Sequence, residues 1–408
     1  MFLGDTVKEM ALPFLLRRVE LRNYRSIEHC DVELGPLMFL VGPNGSGKSN
    51  FLDALRFVSD CLNTSVDEAL RVRGGFRAVC RSPDEPDASF SIKLTLKLEK
   101  EGKAEFLIKV AANSESSFEI ARETCEFPDS SDDLRPWKYE RLGHTSVELS
   151  LPELKMKLRP FPPIRGRLYL GIAASDSFYA VHQSLANMAF YNPLTAPMRD
   201  HQNLDSGDRL NRDASNSASV LRALRRTHPD WADRIFQYLA AAIPRLRRVV
   251  DGPVGEKVTL QFTEAASDGS ERIFYASSMS DGTLRMLAIL LALFQRSEPV
   301  QRVSLVGIEE PEMGVHPAAA AVLFESLHEA SVSRQVLVTS HSSDLLDRDD
   351  VEIDSILAVS AEDGATLIGP LDEGKKNVLR KKLGTAGELL RRDMLIPERA
   401  PLPAHSER

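Results

Sequence analysis

Apolar and polar positions alternate in two runs along "FLLRRVELRNYRSIEHCDVELGPLMFLVG", residues 14–42. Strand side chains point to opposite faces in turn, so the two runs predict a hairpin of strands. The second run, "LMFLV", feeds a glycine-rich stretch, and "SNFLDALRFVSDCL" after it places apolar residues at helical spacing. "FSIKLTLKLE" and "AEFLIKVAA" alternate again, which predicts an antiparallel lobe. "PDSSDDLRP", Pro128 to Pro136, reads as a polar loop.

From about Ser175 to Val250 the period becomes helical. "SASVLRALRRTHPDWADRIFQYLAAAIPRLRRV" predicts two helices broken at His228–Pro229, the second ending before Pro244. "VTLQFTE" and "ERIFYASS" return to strand alternation. In the last third, "VSLVGIEEP" and "QVLVTSH" are short apolar runs ending in polar residues, as in parallel strands whose carboxyl ends line a site. "SILAVSA" is expected to be a closing strand, and the Arg/Pro-rich tail after Leu389 to be loosely ordered.

The chain has 408 residues, 43% hydrophobic and 27% charged, which is ordinary for a soluble globular protein. A net charge of −8 excludes a uniformly basic nucleic-acid binder but leaves room for a local basic face. The longest apolar run, Met286 to Phe294, is too short to cross a bilayer, and no signal peptide is read at the start. Cys30, Cys61, Cys80 and Cys125 form no C-x-x-C pair, which argues for a reducing cytoplasm and against a structural zinc site.

Four stretches carry the chemistry. "GPNGSGKSN" fits G-x-x-x-x-G-K-[ST], so Gly42, Pro43, Asn44, Gly45, Ser46, Gly47, Lys48, Ser49 and Asn50 form the expected nucleotide cradle. Glycines let backbone N–H groups converge on phosphate oxygens, Lys48 is expected to reach the β- and γ-phosphates, and the Ser49 hydroxyl to bind Mg2+. In "VSLVGIEEPEMGVHP", Glu309 is expected to serve the metal and Glu310 the attacking water, where the competing reading is a surface acidic pair. In "SSMSDGTLRMLAILLAL", Ser280 and Gly282 open a helix that Ser280 or Asp281 caps, a feature common enough to be weak alone. In "QVLVTSHSSDLLD", a strand delivers His341 into a Ser/Thr-rich turn, where its imidazole is expected to hydrogen-bond a γ-phosphate or the water; a lone histidine there is more often structural, and its weight comes from its company.

The order of these stretches resembles ATPases of the ATP-binding-cassette type. "LRNYRSI", "SDGTLR", "EEPEMGVHP" and "TSHSSDLLD", with "FYNPLTAPMR", "LNRDASNSASVLRAL" and "TAGELLRRDML", resemble the RecF-like and OLD-like branch related to structural-maintenance-of-chromosomes proteins. The resemblance covers about residues 15–395. It implies an α/β ABC-type P-loop ATPase head with a mixed sheet over residues 14–390: an antiparallel N-lobe (14–125), an inserted helical lobe (126–255), a C-lobe (256–390) and a tail (391–408). It further implies an ATP-dependent head-to-tail homodimer. Ser280 and Gly282 of one copy would meet ATP held by the other, while Lys48, Ser49, Glu309, Glu310 and His341 act in cis. Asn23 and Arg25 are implied to lie near the nucleotide.

Two departures qualify the match. "GGFRAVCRSPDEPDASF" contains no glutamine where a transporter-type glutamine loop is expected, and Glu309 stands where Asp is usual. The 67 residues after His341 are too few for the Toprim nuclease domain of OLD nucleases; "DRDDVEIDS" reads as a solvated loop or as a mimic of that domain's carboxylates. No sustained heptads precede Ser280, so no long coiled-coil arm is expected. Arg222, Arg225, Arg226, Arg234, Arg245, Arg247 and Arg248 are a candidate DNA face or simply a wet one. The expected function is a DNA-associated ATPase clamp in repair or phage defence; the alternative is an ATP-gated switch acting on a separately encoded nuclease or toxin. Neither reading uses a membrane.

Overall fold

The alternating runs become paired strands in a computed structural model that describes residues 14–98, 102–113, 118–127, 138–143, 146–150, 163–172, 176–295, 303–348 and 351–398. The chain divides into two compact units, one of residues 14–186 with 346–408 and the other of 187–345.

The first unit opens with β1 (Phe14–Tyr24) and β2 (Ile27–Glu33), then β3 (Leu37–Val41) and helices α1 (Lys48–Asn63), α2 (Val66–Arg71) and α3 (Phe76–Val79). An antiparallel run follows: β4 (Ser89–Leu98), β5 (Gly102–Ala111), β6 (Glu119–Glu126), β7 (Lys138–Leu142) and β8 (Ser146–Ser150), before α4 (Asp176–Ala186). The "PDSSDDLRP" loop lies outside the described residues. The hairpin β1–β2 pairs Leu21 with Cys30 and Tyr24 with Ile27. Its turn takes Asn23 and Arg25 to φ 53° and 51°.

The second unit carries β9 (Ala189–Tyr191), α5 (Thr195–Arg199), β10 (Gln202–Asn203), α6 (Ser217–Thr227), α7 (Pro229–Ala242), β11 (Leu246–Val254), β12 (Lys257–Ala265), β13 (Glu271–Tyr275), α8 (Asp281–Phe294), β14 (Leu305–Glu309), α9 (Ala320–Ser331), β15 (Gln335–Ser340) and α10 (Ser343–Leu346). Pro229 starts α7 where the sequence placed the break, because its fixed φ suits a first helical position and stops the helix before it. The stretch read as helical is mixed: β9, β10 and β11 interleave with the helices. β9 and β10, of three and two residues, leave no period to detect, and only the first part of β11 falls inside that stretch.

The chain re-enters the first unit through β16 (Ile356–Glu362), β17 (Ala365–Pro370), α11 (Glu373–Arg380) and α12 (Ala386–Arg391). In that unit the strands lie in the order β8-β7-β6-β5-β4-β1-β2-β17-β16-β3. Pairing is antiparallel through the first part, whereas β2–β17 and β16–β3 are parallel. In the second unit β15, β14 and β9 are parallel, and β10, β11 and β13 pair antiparallel with β12.

The tail needs a correction. Residues up to Glu398 are packed: Leu371 bridges Pro397, Glu398 N–H donates to Pro370 O at 2.8 Å, and Leu395 is buried. Its prolines and arginines read as loose because the apolar contacts holding it come from β17, far back in the chain.

Around α1, Tyr24, Phe57 and Phe90 meet edge to face with centroids 5.5–6.1 Å apart, a geometry favoured by the ring quadrupoles. Helix α8 is buried from Thr283 to Phe294, which suits a sequence apolar on every face. Among the described residues no helix is long and apolar enough to cross a membrane.

Candidate functional site

In the first unit, β3 ends at Val41 and the chain crosses residues 42–47 before α1 begins at Lys48. Gly45 and Gly47 hold φ at 77° and 104°, where a side chain is strained. Gly42 needs its bare Cα for space: an added Cβ would sit 1.9 Å from the Val359 carbonyl oxygen. Pro43, Asn44, Gly45 and Ser49 are exposed, whereas Ser46 and Lys48 are buried. Lys48 Nζ donates to Gly42 O at 2.7 Å and Pro43 O at 2.8 Å, so the ammonium sits over the loop.

Gly47 caps α1 without a side-chain hydrogen bond, and the first turn holds no acidic residue. Neither a cap side chain nor a first-turn carboxylate offsets the positive end of the helix dipole, beside a loop with two glycines at positive φ. That combination suits a phosphate. Asn50 Nδ2 donates to Ser26 Oγ at 2.6 Å.

Asn23 and Arg25 are held by other partners in the same unit. Asn23 Nδ2 donates to Ser89 O at 3.3 Å, and Arg25 Nε pairs with Asp53 of α1 at 2.8 Å. Asp53 also meets Arg56 at 2.8 Å, Arg73 at 3.1 Å and the Tyr24 hydroxyl at 2.9 Å. Burial alone would raise the Asp53 carboxyl, but the guanidinium groups of Arg73, Arg25 and Arg56 outweigh it and hold it below its ordinary value. Arg25 therefore anchors the helix that carries Lys48 and Ser49.

In the second unit, parallel pairing sets Glu309 opposite Thr339, so the ends of β14 and β15 bring Glu310 and His341 together. His341 Nδ1 lies 3.3 Å from Glu310 Oε1 and 3.9 Å from Glu312 Oε1. Glu310 has φ 44°, unusual for a residue with a Cβ, and its N–H donates to Thr339 O at 3.0 Å. Such strain persists only where neighbours impose it, and it collects at functional sites.

Helix α8 begins beside these carboxylates. Ser280 is its cap, with Oγ accepting from Thr283 N–H at 3.2 Å. A Cβ on Gly282 would lie 2.4 Å from Gly314 O, so glycine permits the helix start to touch the loop after Glu310. Arg199 pairs with Asp281 at 2.8 Å.

Three residues of this cluster escaped the sequence reading. Glu312 Oε1 accepts from Ser340 Oγ at 2.7 Å and from His341 N–H at 3.2 Å. Arg285 Nη2 donates to the carbonyls of Glu309 and Glu310 at 3.1 and 3.0 Å, while Nη1 reaches Pro193 O at 2.7 Å. Burial lowers the Arg285 pKa from its ordinary value, opposed by Glu312, Glu310 and Glu309. Arg212 Nη2 donates to Glu309 Oε1 at 2.8 Å. A charged residue inside an apolar helix was the available signal for Arg285; Arg212, in "LNRDASN", had none.

Ser49 in the first unit is an exposed hydroxyl and Glu309 in the second a carboxylate, each of the hard oxygen type that magnesium prefers. The "DRDDVEIDS" string spends Asp347 on Thr385 and Arg391; residues 349–350 lie outside the described set.

A family profile described as "AAA domain, putative AbiEii toxin, Type IV TA system" matches residues 37–347. The chain is 24% identical over 430 aligned positions to an OLD nuclease of Thermus scotoductus, covering 95% of this chain and 71% of that protein. A 52-residue stretch, 12% of this chain and 14% of the other, is 40% identical to the DNA replication and repair protein RecF of Phocaeicola vulgatus. An Smc head bound to the C-terminal winged-helix domain of ScpA superposes with TM-score 0.54 at 16% identity, over 88% of this chain and 99% of that one. An Smc head from Pyrococcus furiosus, bound to the C-terminal domain of ScpA, gives 0.52 at 14% identity over 91% and 99%. At such identities these two speak for the fold.

Proposed function

The chain belongs to this AAA-domain family and is an ATP hydrolase of the RecF- and OLD-like type, and from that premise we propose that it is an ATP-dependent head-to-tail dimeric clamp acting on DNA. The observation that carries the chemistry is the Glu310–His341 pair at the ends of two parallel strands. Glu310 takes the proton of the attacking water, and His341, 3.3 Å away, orients its carboxylate. Lys48 turns from the loop carbonyls to the phosphates and neutralises charge there. Ser49 and Glu309 would hold magnesium, which supplies Lewis-acid stabilisation of the phosphates; Glu309 must first part from Arg212. Ser280 and Gly282 of the second copy complete the site, so association and hydrolysis are one event.

The basic surface narrows to four residues. Arg222 and Arg225 are paired with Asp251, and Arg234 with Glu329. Arg226, Arg245, Arg247 and Arg248 are exposed, and a bulge between Leu246 and Arg248 leaves two successive arginines facing solvent. These four are the proposed phosphate contacts. DNA repair or phage defence is the proposed role of such a clamp, repair being the role in the name of the RecF relative.

The test is Glu310→Gln sized with ATP, with and without DNA. It should bind ATP, hydrolyse it about 10²–10⁴-fold more slowly and accumulate as dimers, with DNA increasing wild-type turnover. Wild-type hydrolysis in this variant removes Glu310 as the base. Turnover indifferent to DNA but altered by a co-purifying protein favours the ATP-gated switch over a separate effector.

A further inference from the structure

The phosphate loop of the first unit is held from behind by a strand more than three hundred residues away in sequence. Thr366, buried on β17, donates its hydroxyl proton to Ser46 O at 2.8 Å. Its oxygen lies 2.7 Å from Ser26 Oγ, which accepts from Asn50 Nδ2 at 2.6 Å. A hydroxyl has one proton to give. With that of Thr366 spent on Ser46 O, Ser26 must donate to Thr366, and the chain has a single direction: Asn50, Ser26, Thr366, Ser46 carbonyl.

The backbone fixes the two hydroxyls relative to each other. Thr366 N–H donates to Ser26 O at 2.8 Å, and Arg81 Nη1 donates to Ser26 O at 3.0 Å and to Gly364 O at 2.8 Å. Arg81 belongs to the stretch without a glutamine, and here it ties the β1–β2 turn to the β16–β17 turn.

A trans peptide is planar, so the Ser46 carbonyl and the Gly47 N–H point in opposite directions. Holding the carbonyl against β17 aims the N–H the other way, away from β17. Thr366 also excludes a side chain at position 47: at φ 104°, a Cβ there would lie 2.1 Å from Thr366 Oγ1 and 2.7 Å from Cγ2, so strand and loop close up only against glycine.

We propose that Thr366 and Ser26 are positioning residues for phosphate binding, a relay that presets the Ser46–Gly47 peptide. This rests on the reading of residues 42–50 as the nucleotide cradle. The relay spares the loop an ordering cost on binding, and therefore acts on affinity for the phosphates.

Thr366→Val keeps the shape and removes the hydroxyl. Titrations with ADP and with inorganic pyrophosphate should both weaken by about tenfold, and Thr366→Ser should restore both to within about twofold. Equal loss for the two ligands places the defect at the phosphates. Pyrophosphate affinity unchanged in folded Thr366→Val, whatever its melting temperature, overturns the proposal. If Thr366→Val does not fold, Ser26→Ala carries the test: a loss of about threefold supports the relay and unchanged affinity refutes it. A wild-type chain that binds neither ligand overturns the cradle reading as well, and so is told apart from failure of the relay alone.

Discussion

Gly42→Ala probes how tightly the phosphate loop is set against its own sheet. The added methyl carbon would lie 1.9 Å from Val359 O and 3.0 Å from the carbonyl carbon. Non-bonded atoms rest at roughly 3.5 Å, so loop and strand must part by more than ~1 Å. The obstacle is main chain of β16, in register with β3 through Leu357–Leu40 and Ala358–Val41, and no rotamer change clears it. Overpacking costs about 1–3 kcal/mol in general, and a backbone obstacle places this case at about 2–3 kcal/mol. Displacement of the loop by that amount should weaken ADP binding by about 10²-fold.

Gly45→Ala is the informative comparison. At φ 77° it has nothing within 4 Å of an added Cβ, so its cost is backbone strain alone, about 1–2 kcal/mol. The assay is titration with a fluorescent ADP analogue beside urea unfolding of each variant. Gly42→Ala should be the worse of the two in affinity although its backbone is unstrained. The reverse order, or wild-type affinity in Gly42→Ala, refutes the claim that β16 sets the loop's position.

Asp53→Asn should lower stability by about 2–4 kcal/mol at pH 7, less than a fully isolated pair because Arg73 keeps Asp60 and the Ala69 carbonyl. The carboxyl is held below its ordinary 3.8, so its contribution is present above that pH and lost as pH falls through the lower folded value. The gap in urea midpoint between wild type and variant should therefore close below about pH 4, and a gap constant with pH refutes the ion-pair account. Ser280→Arg should bind ATP yet fail to associate with it, at a capping cost of about 1 kcal/mol; ATP-dependent dimers at the wild-type level on a sizing column reject a shared site.

The expected hairpin partner was wrong: β1 pairs with Ile27–Glu33, and "LMFLV" is β3, parallel to β16. The strand character of the opening segment, the loop-to-α1 transition, the α6–α7 break and the strands leading to Glu309 and His341 were legible in the residues. Each is a local matter: a period of two or 3.6, a proline, or glycines at fixed offsets decide the backbone over a few residues. Even the pairing of Glu310 with His341 follows once both strands are taken as parallel neighbours.

Partners were another matter. That Arg25 closes on Asp53, that Arg212 holds Glu309, that Glu312 receives Ser340 and His341, and that Thr366 backs the phosphate loop depend on strand order and register. The tail up to Glu398 is ordered for the same reason. A hydrogen bond needs its atoms within about 3 Å, and only the folded chain sets separations that fine between residues hundreds apart. Local residue order settles which groups exist and which short elements present them. Which of those groups meet is settled by folding, because sheet order is a property of the whole chain.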